Sequence, residues 1–259
     1  MTREELQNII SSKPYDFLRE DEHLGKHLMY LTIGGSHAYG TNQDGSDIDV
    51  RGVALNSKED LLGFGDFEHY VDVTTDTTVL GFNKAVNLMC AGNPNMLEQL
   101  GNKDDLVISC NPATKLLMDN KKLFLSKRVI YSFGGFTGKL VREANVIFNG
   151  LRTPIGSEEV RKRTQKKLNK TVMNAVRLYY MLFDILEKQE IITYRENELD
   201  ILRAIRNGQY DYKKLRDEVI PVFEKRLAAD KKETSLPDNV NMETVNELAM
   251  AVNEQALLI

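Results

Sequence analysis

Cysteine is scarce in this chain, and its apolar runs are short. Of 259 residues only two are cysteines, Cys90 and Cys110. Neither stands at ligand spacing from another Cys or a His, so neither a zinc site nor a disulfide framework is expected. A reducing, cytoplasmic setting is the natural expectation. No stretch approaches the ~18 apolar residues that a membrane helix needs. The opening residues, "MTREELQNIISSKPYDF", hold no apolar run of signal-peptide length. A basic excess is missing too. The 34 Lys and Arg against 38 Asp and Glu leave a formal net charge of −4, so no global charge advertises nucleic acid. Internal repeats and low-complexity segments are absent. What is present is a hydrophobic fraction of 42%, enough for the core of one large domain or two small ones.

The first half is punctuated by glycine. "LMYLTIGG" (28–35) reads as a buried strand stopped by glycine. "DIDVRGVAL" (47–55) alternates with period two and reads as a second strand, with Asp44-Gly45 as turn chemistry between the two. "EHYVDVTTDTTVL" (68–80) is rich in β-branched residues and predicts a third strand, open to being broken in two. "GFNKAVNLMCAG" has helical spacing, Asn93-Pro94-Asn95 restarts a short helix, and "DLVISC" predicts an edge strand. From about Ser126 onward long helical patterns dominate, broken at "NGLRTPIGS" and bent near Pro221. The spacing therefore predicts a mixed core over 1–125 followed by a helical domain over 126–259.

The stretch "TIGGSHAYGTNQDGSDIDVRGV" (32–53) carries the chemistry. Asp47 and Asp49 are two residues apart, which on a strand puts both carboxylates on one face, while Ile48 and Val50 point into the core. Two carboxylates that close repel unless a cation compensates. Hard oxygen ligands suit Mg²⁺, or Mn²⁺ in its place. The Gly34-Gly35-Ser36 corner supplies the complement: backbone N–H groups and a hydroxyl that favour an anion. A triphosphate between that corner and metals on the aspartates is the arrangement that two-metal nucleotidyl transfer needs. Alone, "GGS" reads as a turn and "DxD" as a solvated strand edge; their order and spacing make the pair specific.

These residues resemble the signature of the DNA polymerase β superfamily of nucleotidyltransferases. "AYGT…GSDIDVRGV", "GNPNMLEQL" and "LPDNVN" resemble more closely the predicted nucleotidyltransferase family associated with RNA repair, which also occurs in phages. The similarity extends over nearly the whole chain. It implies an α+β fold: a polymerase-β-like core, a small mixed sheet with flanking helices and the metal site at one end, followed by a C-terminal helical domain. It also implies an NTP substrate, ATP among the candidates, and pyrophosphate as leaving group.

The superfamily adds a third carboxylate from a neighbouring strand. Asp72 and Asp76 share strand parity. Asp72 has the hydrophobic flanks the superfamily favours. Asp76 stands eight residues before a helical lysine, Lys84, as in the family pattern, and is the preferred choice, as metal ligand and aid to deprotonating the attacking hydroxyl. Arg51 either contacts phosphate or pairs the aspartates. Tyr39 reads as core or as a base-stacking ring, and His37 as pocket-lining or as a turn residue. Asn93, Asn95 and Glu98 read as capping and local hydrogen bonding, or as cleft lining. His23, His27 and His69 read as surface residues. The run Arg161 to Lys170 is a solvated helix face or a phosphate-binding surface, extended by Lys139 and Arg142. Lys170 lies where the family's helical domain closes over the nucleotide.

The sequence thus reads as a metal-dependent nucleotidyltransferase. Asp47, Asp49 and Asp76 are catalytic and hold metal; Gly35, Ser36, Arg51 and Lys170 bind nucleotide. The acceptor hydroxyl is expected on an RNA or tRNA 3′ end. The alternatives are a small-molecule or protein hydroxyl, and a non-catalytic regulatory or binding module that keeps the fold.

Overall fold

The structure is a computed structural model that describes residues 1–152 and 157–259. A five-stranded mixed sheet is its centre, with order β3-β4-β2-β1-β5. The strands are β1 (Leu28–Ile33), β2 (Val50–Ala54), β3 (His69–Asp72), β4 (Thr77–Gly81) and β5 (Val107–Ser109). β1 is buried along its whole length, as its apolar run predicts for a strand covered on both faces. It pairs antiparallel with β2 and β5, while β2 and β4 run parallel. The region 68–80 is indeed broken in two: β3 and β4 form an antiparallel hairpin, and β5 is an edge strand.

Alternation along the strands sends side chains into two cores. One joins the N-terminal segments to the sheet through Leu6, Leu18, Leu31, Ile33, Val50 and Val79. The other runs from Met29, Tyr30 and Val53 through Phe82 and Leu97 to Phe133, Leu182 and Val252. This second core is continuous across residue 125, so helices of the C-terminal half pack directly on the sheet. A third cluster, with Val172, Tyr179, Leu202 and Ile205, lies among the helices themselves.

The second half is helical as expected: Arg128–Leu151, Glu158–Lys188, Leu199–Arg206, Ile220–Glu233 and Met242–Ala256. The basic run Arg161 to Lys170 is continuous with the apolar stretch that follows it. Both belong to the one 31-residue helix Glu158–Lys188, started by Ser157, whose hydroxyl accepts from the Val160 amide. Of the break at 149–157, residues 153–156 lie outside the described residues. The irregularity at Pro221 is a π-helical turn over Leu215–Val219, which relieves the ring clash that a proline brings to a regular helix. Among the described residues no helix is long and apolar enough to cross a membrane.

Two sequence expectations need correction. β2 starts at Val50, not at Asp47. β1 ends at Ile33 and the chain turns into a helix at Gly35, so no strand remains beside Asp47 for it to pair with. His27 is not a surface residue: it is 7% exposed, carried inward by the short helical turn that leads into β1.

Candidate functional site

The site is built where β1 runs out. The Gly34 amide donates to the Asp49 carbonyl at 2.7 Å, holding the two chains together past the last strand pair, Ile33 with Val50. Gly35 then takes φ +59°, a left-handed conformation that suits glycine. A Cβ there would lie 1.7 Å from Asp49 Oδ2. The helix Gly35–Tyr39 follows and stops at Gly40, whose carbonyl accepts from Arg203 Nη2 and Nε at 2.9 and 3.1 Å. The loop 41–49 returns through a turn at Asp44-Gly45 and delivers both aspartates. Gln43 Nε2 donates to Asn207 Oδ1 at 2.7 Å, tying that loop to the helical half.

Between these pieces lies a cleft of about 440 Å³. Gly35, Ser36, Asp47 and Asp49 line it from the sheet side; Lys170, Asn174 and Arg206 line it from the helices. Asp47 and Asp49 thus line one cleft although both precede the strand. A groove of about 480 Å³ shares Gln43, Lys170 and Arg206 with this cleft and continues past Lys166 and Lys167. Arg206 Nη1 is buried with no hydrogen-bond partner among the described residues.

Asp76 and Asp72 are separated by the hairpin turn, so the parity argument does not apply to them. Asp76 occupies the turn itself, at φ +46°, and its carboxylate accepts from Arg51 Nη2 at 2.9 Å. Arg51 also approaches Asp49, at 3.7 Å. Burial pushes the Asp49 carboxyl up to about 6, helped by its hydrogen bond with Asp76. Asp76 is held below the usual carboxylate range by that same bond and by Arg51. Asp72 turns away: it accepts from the Thr75 amide and hydroxyl, both at 2.8 Å. Lys84 pairs with Glu68 at 3.0 Å. Among the described residues no three His, Cys, Asp or Glu side chains are gathered closely enough to hold a metal by themselves.

Sequence reasoning missed the support beneath the corner. Arg177, 3% exposed, lies with its guanidinium carbon 3.5 Å from the Tyr39 ring centroid and its Nη2 2.7 Å from Glu98 Oε1. The Tyr39 hydroxyl donates to Glu98 Oε2 at 2.8 Å. One face of Tyr39 is therefore covered by a cation, and burial pushes its phenol upward. The signal was present: Lys170, Asn174 and Arg177 recur at i, i+4 and i+7 in the long helix, one face by helical geometry. Asn93 caps the helix Pro94–Leu100 through the Met96 amide, whereas Asn95 and Glu98 line a second, smaller pocket. His37 Nε2 is 3.3 Å from the Ser46 carbonyl, and His23 stacks on Phe67 away from the cleft. In the basic run, Lys162 pairs with Glu158 and Lys167 with Glu143.

Among curated proteins none matches this chain. The family comparison is decisive: residues 2–252 match the model of the RNA repair pathway DNA polymerase beta family, so the chain belongs to that family of polymerase-β-type nucleotidyltransferases.

Proposed function

We propose that the chain transfers a nucleoside monophosphate from an NTP to an acceptor hydroxyl, releasing pyrophosphate, and that the acceptor is an RNA 3′ end. The observation that carries this is one cleft with Asp47, Asp49, Gly35 and Ser36 on one side and Lys170 on the other. The basic groove continuing from it suits a polyanion, and the RNA repair description of the family supports RNA as that polyanion.

The donor set fits a hard divalent cation. Asp49 and Asp76 relieve their mutual repulsion through a hydrogen bond and Arg51, and a cation would do the same. Mg²⁺ commonly takes only one or two carboxylates and completes its shell with substrate phosphates and water, so a preformed three-carboxylate cage is not required. Asp47, Asp49 and Asp76 would hold it, or Mn²⁺ in its place. Such an ion supplies neutralisation of charge on the phosphate oxygens.

The chain's own groups do the rest. The Ser36 hydroxyl donates to the β/γ-phosphates at the corner. Lys170 adds a point charge from the opposite wall. The acceptor oxygen attacks the α-phosphorus, the bond to the β-phosphate oxygen breaks, and pyrophosphate leaves with the electron pair. Asp76, more than half exposed beside Asp49, takes the hydroxyl proton. Arg51 holds Asp76 in place. The experiment is incubation with each α-labelled NTP, Mg²⁺ or Mn²⁺, and RNA oligonucleotides. Label on the RNA 3′ end is the expected result; label on a small molecule or on protein moves the acceptor, and no label in any pool overturns the reading.

A further inference from the structure

A second pocket, of about 190 Å³, opens beside the main cleft between Gly34–Tyr39 and the helix Pro94–Leu100. It shares Gly35, Tyr39 and Asp49 with the cleft. Its distinctive lining is three carboxamides, Asn95, Gln99 and Asn102. Gln99 is 7% exposed, yet its bonds are long: it accepts from the Tyr30 hydroxyl at 3.4 Å and donates to the Asn95 carbonyl at 3.4 Å. Asn102 donates to Thr32 Oγ1 at 2.7 Å and to the Ile33 carbonyl at 2.8 Å. Its Oδ1 is buried with no partner among the described residues. Buried amide groups are costly to leave underbonded.

The chemistry selects the ligand. Asn95 and Gln99 offer both donors and acceptors, so the pocket suits a neutral, planar group with an alternating edge. An anion would face two carboxylates, Asp49 and Glu98, against the one guanidinium of Arg51, which is already paired with Asp76; an apolar group would leave the amides unmatched. The volume lies below the ~300–1,000 Å³ of pockets that enclose a drug-sized ligand, so it suits one ring system and not a whole nucleotide. Position assigns the ring to a substrate. Phosphoryl transfer is in line, so the attacking oxygen enters opposite the leaving pyrophosphate. Ser36 and Lys170, the proposed pyrophosphate contacts, line the main cleft and not this pocket, which meets the cleft at Asp49; a ring here therefore lies beside the metal carboxylate and off the pyrophosphate-holding walls.

We infer that the pocket takes the nucleobase of the residue that carries the acceptor hydroxyl, read on its edge by Asn95 and Gln99, with Asn102 tying the wall to β1. This inference rests on the nucleotidyl-transfer reading for the identity of that residue, but not for the binding itself.

The test therefore has two arms. First, the intact chain is titrated with the four ribonucleosides, free of phosphate and metal, and side-chain amide resonances are followed. Saturable binding of a subset of them, weakened about tenfold or more in Asn95→Ala/Gln99→Met, is expected. Asn95 is exposed and Gln99→Met keeps the volume, and equal thermal unfolding of the variant checks that the fold is kept. Asp47→Asn, which disables transfer under the proposed function at a residue that lines the main cleft and not this pocket, should leave nucleoside binding in place, so the two readings fail separately. No saturation by any nucleoside, or binding indifferent to the double variant, overturns the inference. Second, with active enzyme, the double variant should raise the RNA KM and blur the preference for the terminal base while the NTP KM holds. A rise in the NTP KM alone would give the pocket to the incoming nucleotide and overturn the assignment to the acceptor.

Discussion

Asp49 Oδ2 occupies the space that a β-carbon on Gly35 would fill, 1.7 Å from its ideal position. The Gly35 corner and the carboxylate are thus packed against one another with no room for a methyl group. Gly35→Ala should displace the Asp49 carboxylate and also strain the left-handed backbone. Because misplacing a reacting group by about 1 Å costs ~10²-fold, turnover should fall at least that far. Steady-state kinetics against wild type checks this; near-normal turnover would show that Asp49 does not need its present position.

The three carboxylates should separate from Asp72. Asp47→Asn, Asp49→Asn and Asp76→Asn should each lower transfer by roughly a thousandfold or more, and Asp72→Asn should be mild. With metal absent, Asp49→Asn should keep or raise the melting temperature, since a half-buried carboxylate is removed. A severe Asp72→Asn beside a mild Asp76→Asn would transfer the third role to Asp72.

Lys170 and the exposed part of the basic run should act on different ligands. Lys170→Ala should weaken NTP binding about tenfold, the scale of one charge-assisted contact. Neutralising Arg161, Arg163, Lys166 and Lys167 together should leave NTP binding nearly unchanged but flatten the salt dependence of RNA binding. Each lost phosphate contact takes ~0.7–0.9 off the log–log slope. An unchanged slope would make the run a solvated helix face.

Removing one partner beneath the corner should cost more than removing both. Arg177→Met leaves Glu98 buried without its cation and should destabilise by about 3–5 kcal/mol. Adding Glu98→Gln should recover much of that, because a neutral amide still accepts from Tyr39 and needs no counter-charge. Chemical denaturation of the two single variants and the double closes the cycle.

His27 supplies a pH dependence remote from the site. Burial, with Lys26 adding to it, lowers its affinity for a proton in the folded state. The unfolded chain then binds more protons as pH falls below the ordinary histidine value of about 6.5, so stability drops there and is intact above it. His27→Gln should flatten the melting temperature between pH 7 and 5. An unchanged pH profile would show that His27 titrates normally in the fold.

The motif stretch was legible because local chemistry governs it: glycine where the backbone turns left-handed, alternation where two side chains share a face. The helices were legible for the same reason, although the π-helical turn Leu215–Val219 before Pro221 was not. What failed involved partners distant in sequence. The period-two pattern extends to Asp47, but pairing stops where β1 stops. Asp72 and Asp76 look equivalent by count, and only the hairpin turn separates them. His27 looks solvated until the fold covers it. Arg177 was the largest omission. A lone arginine in an apolar helix reads as a surface residue until Glu98 and Tyr39, far away in the chain, are brought against it.

The long helix Glu158–Lys188 is one rigid rod. It carries Lys170 and Asn174 at the cleft and, within two turns, Arg177 beneath Tyr39. Because a helix advances ~1.5 Å and ~100° per residue as a unit, Lys170 cannot approach a bound phosphate by rod motion without dragging Arg177 with it. Arg177 bears on Tyr39, and Tyr39 ends the short helix that begins at Gly35 and Ser36. Cleft width and the placement of the Gly35-Ser36 corner are therefore mechanically linked: under the proposed function, a nucleotide that drew the helices inward would also lever the corner.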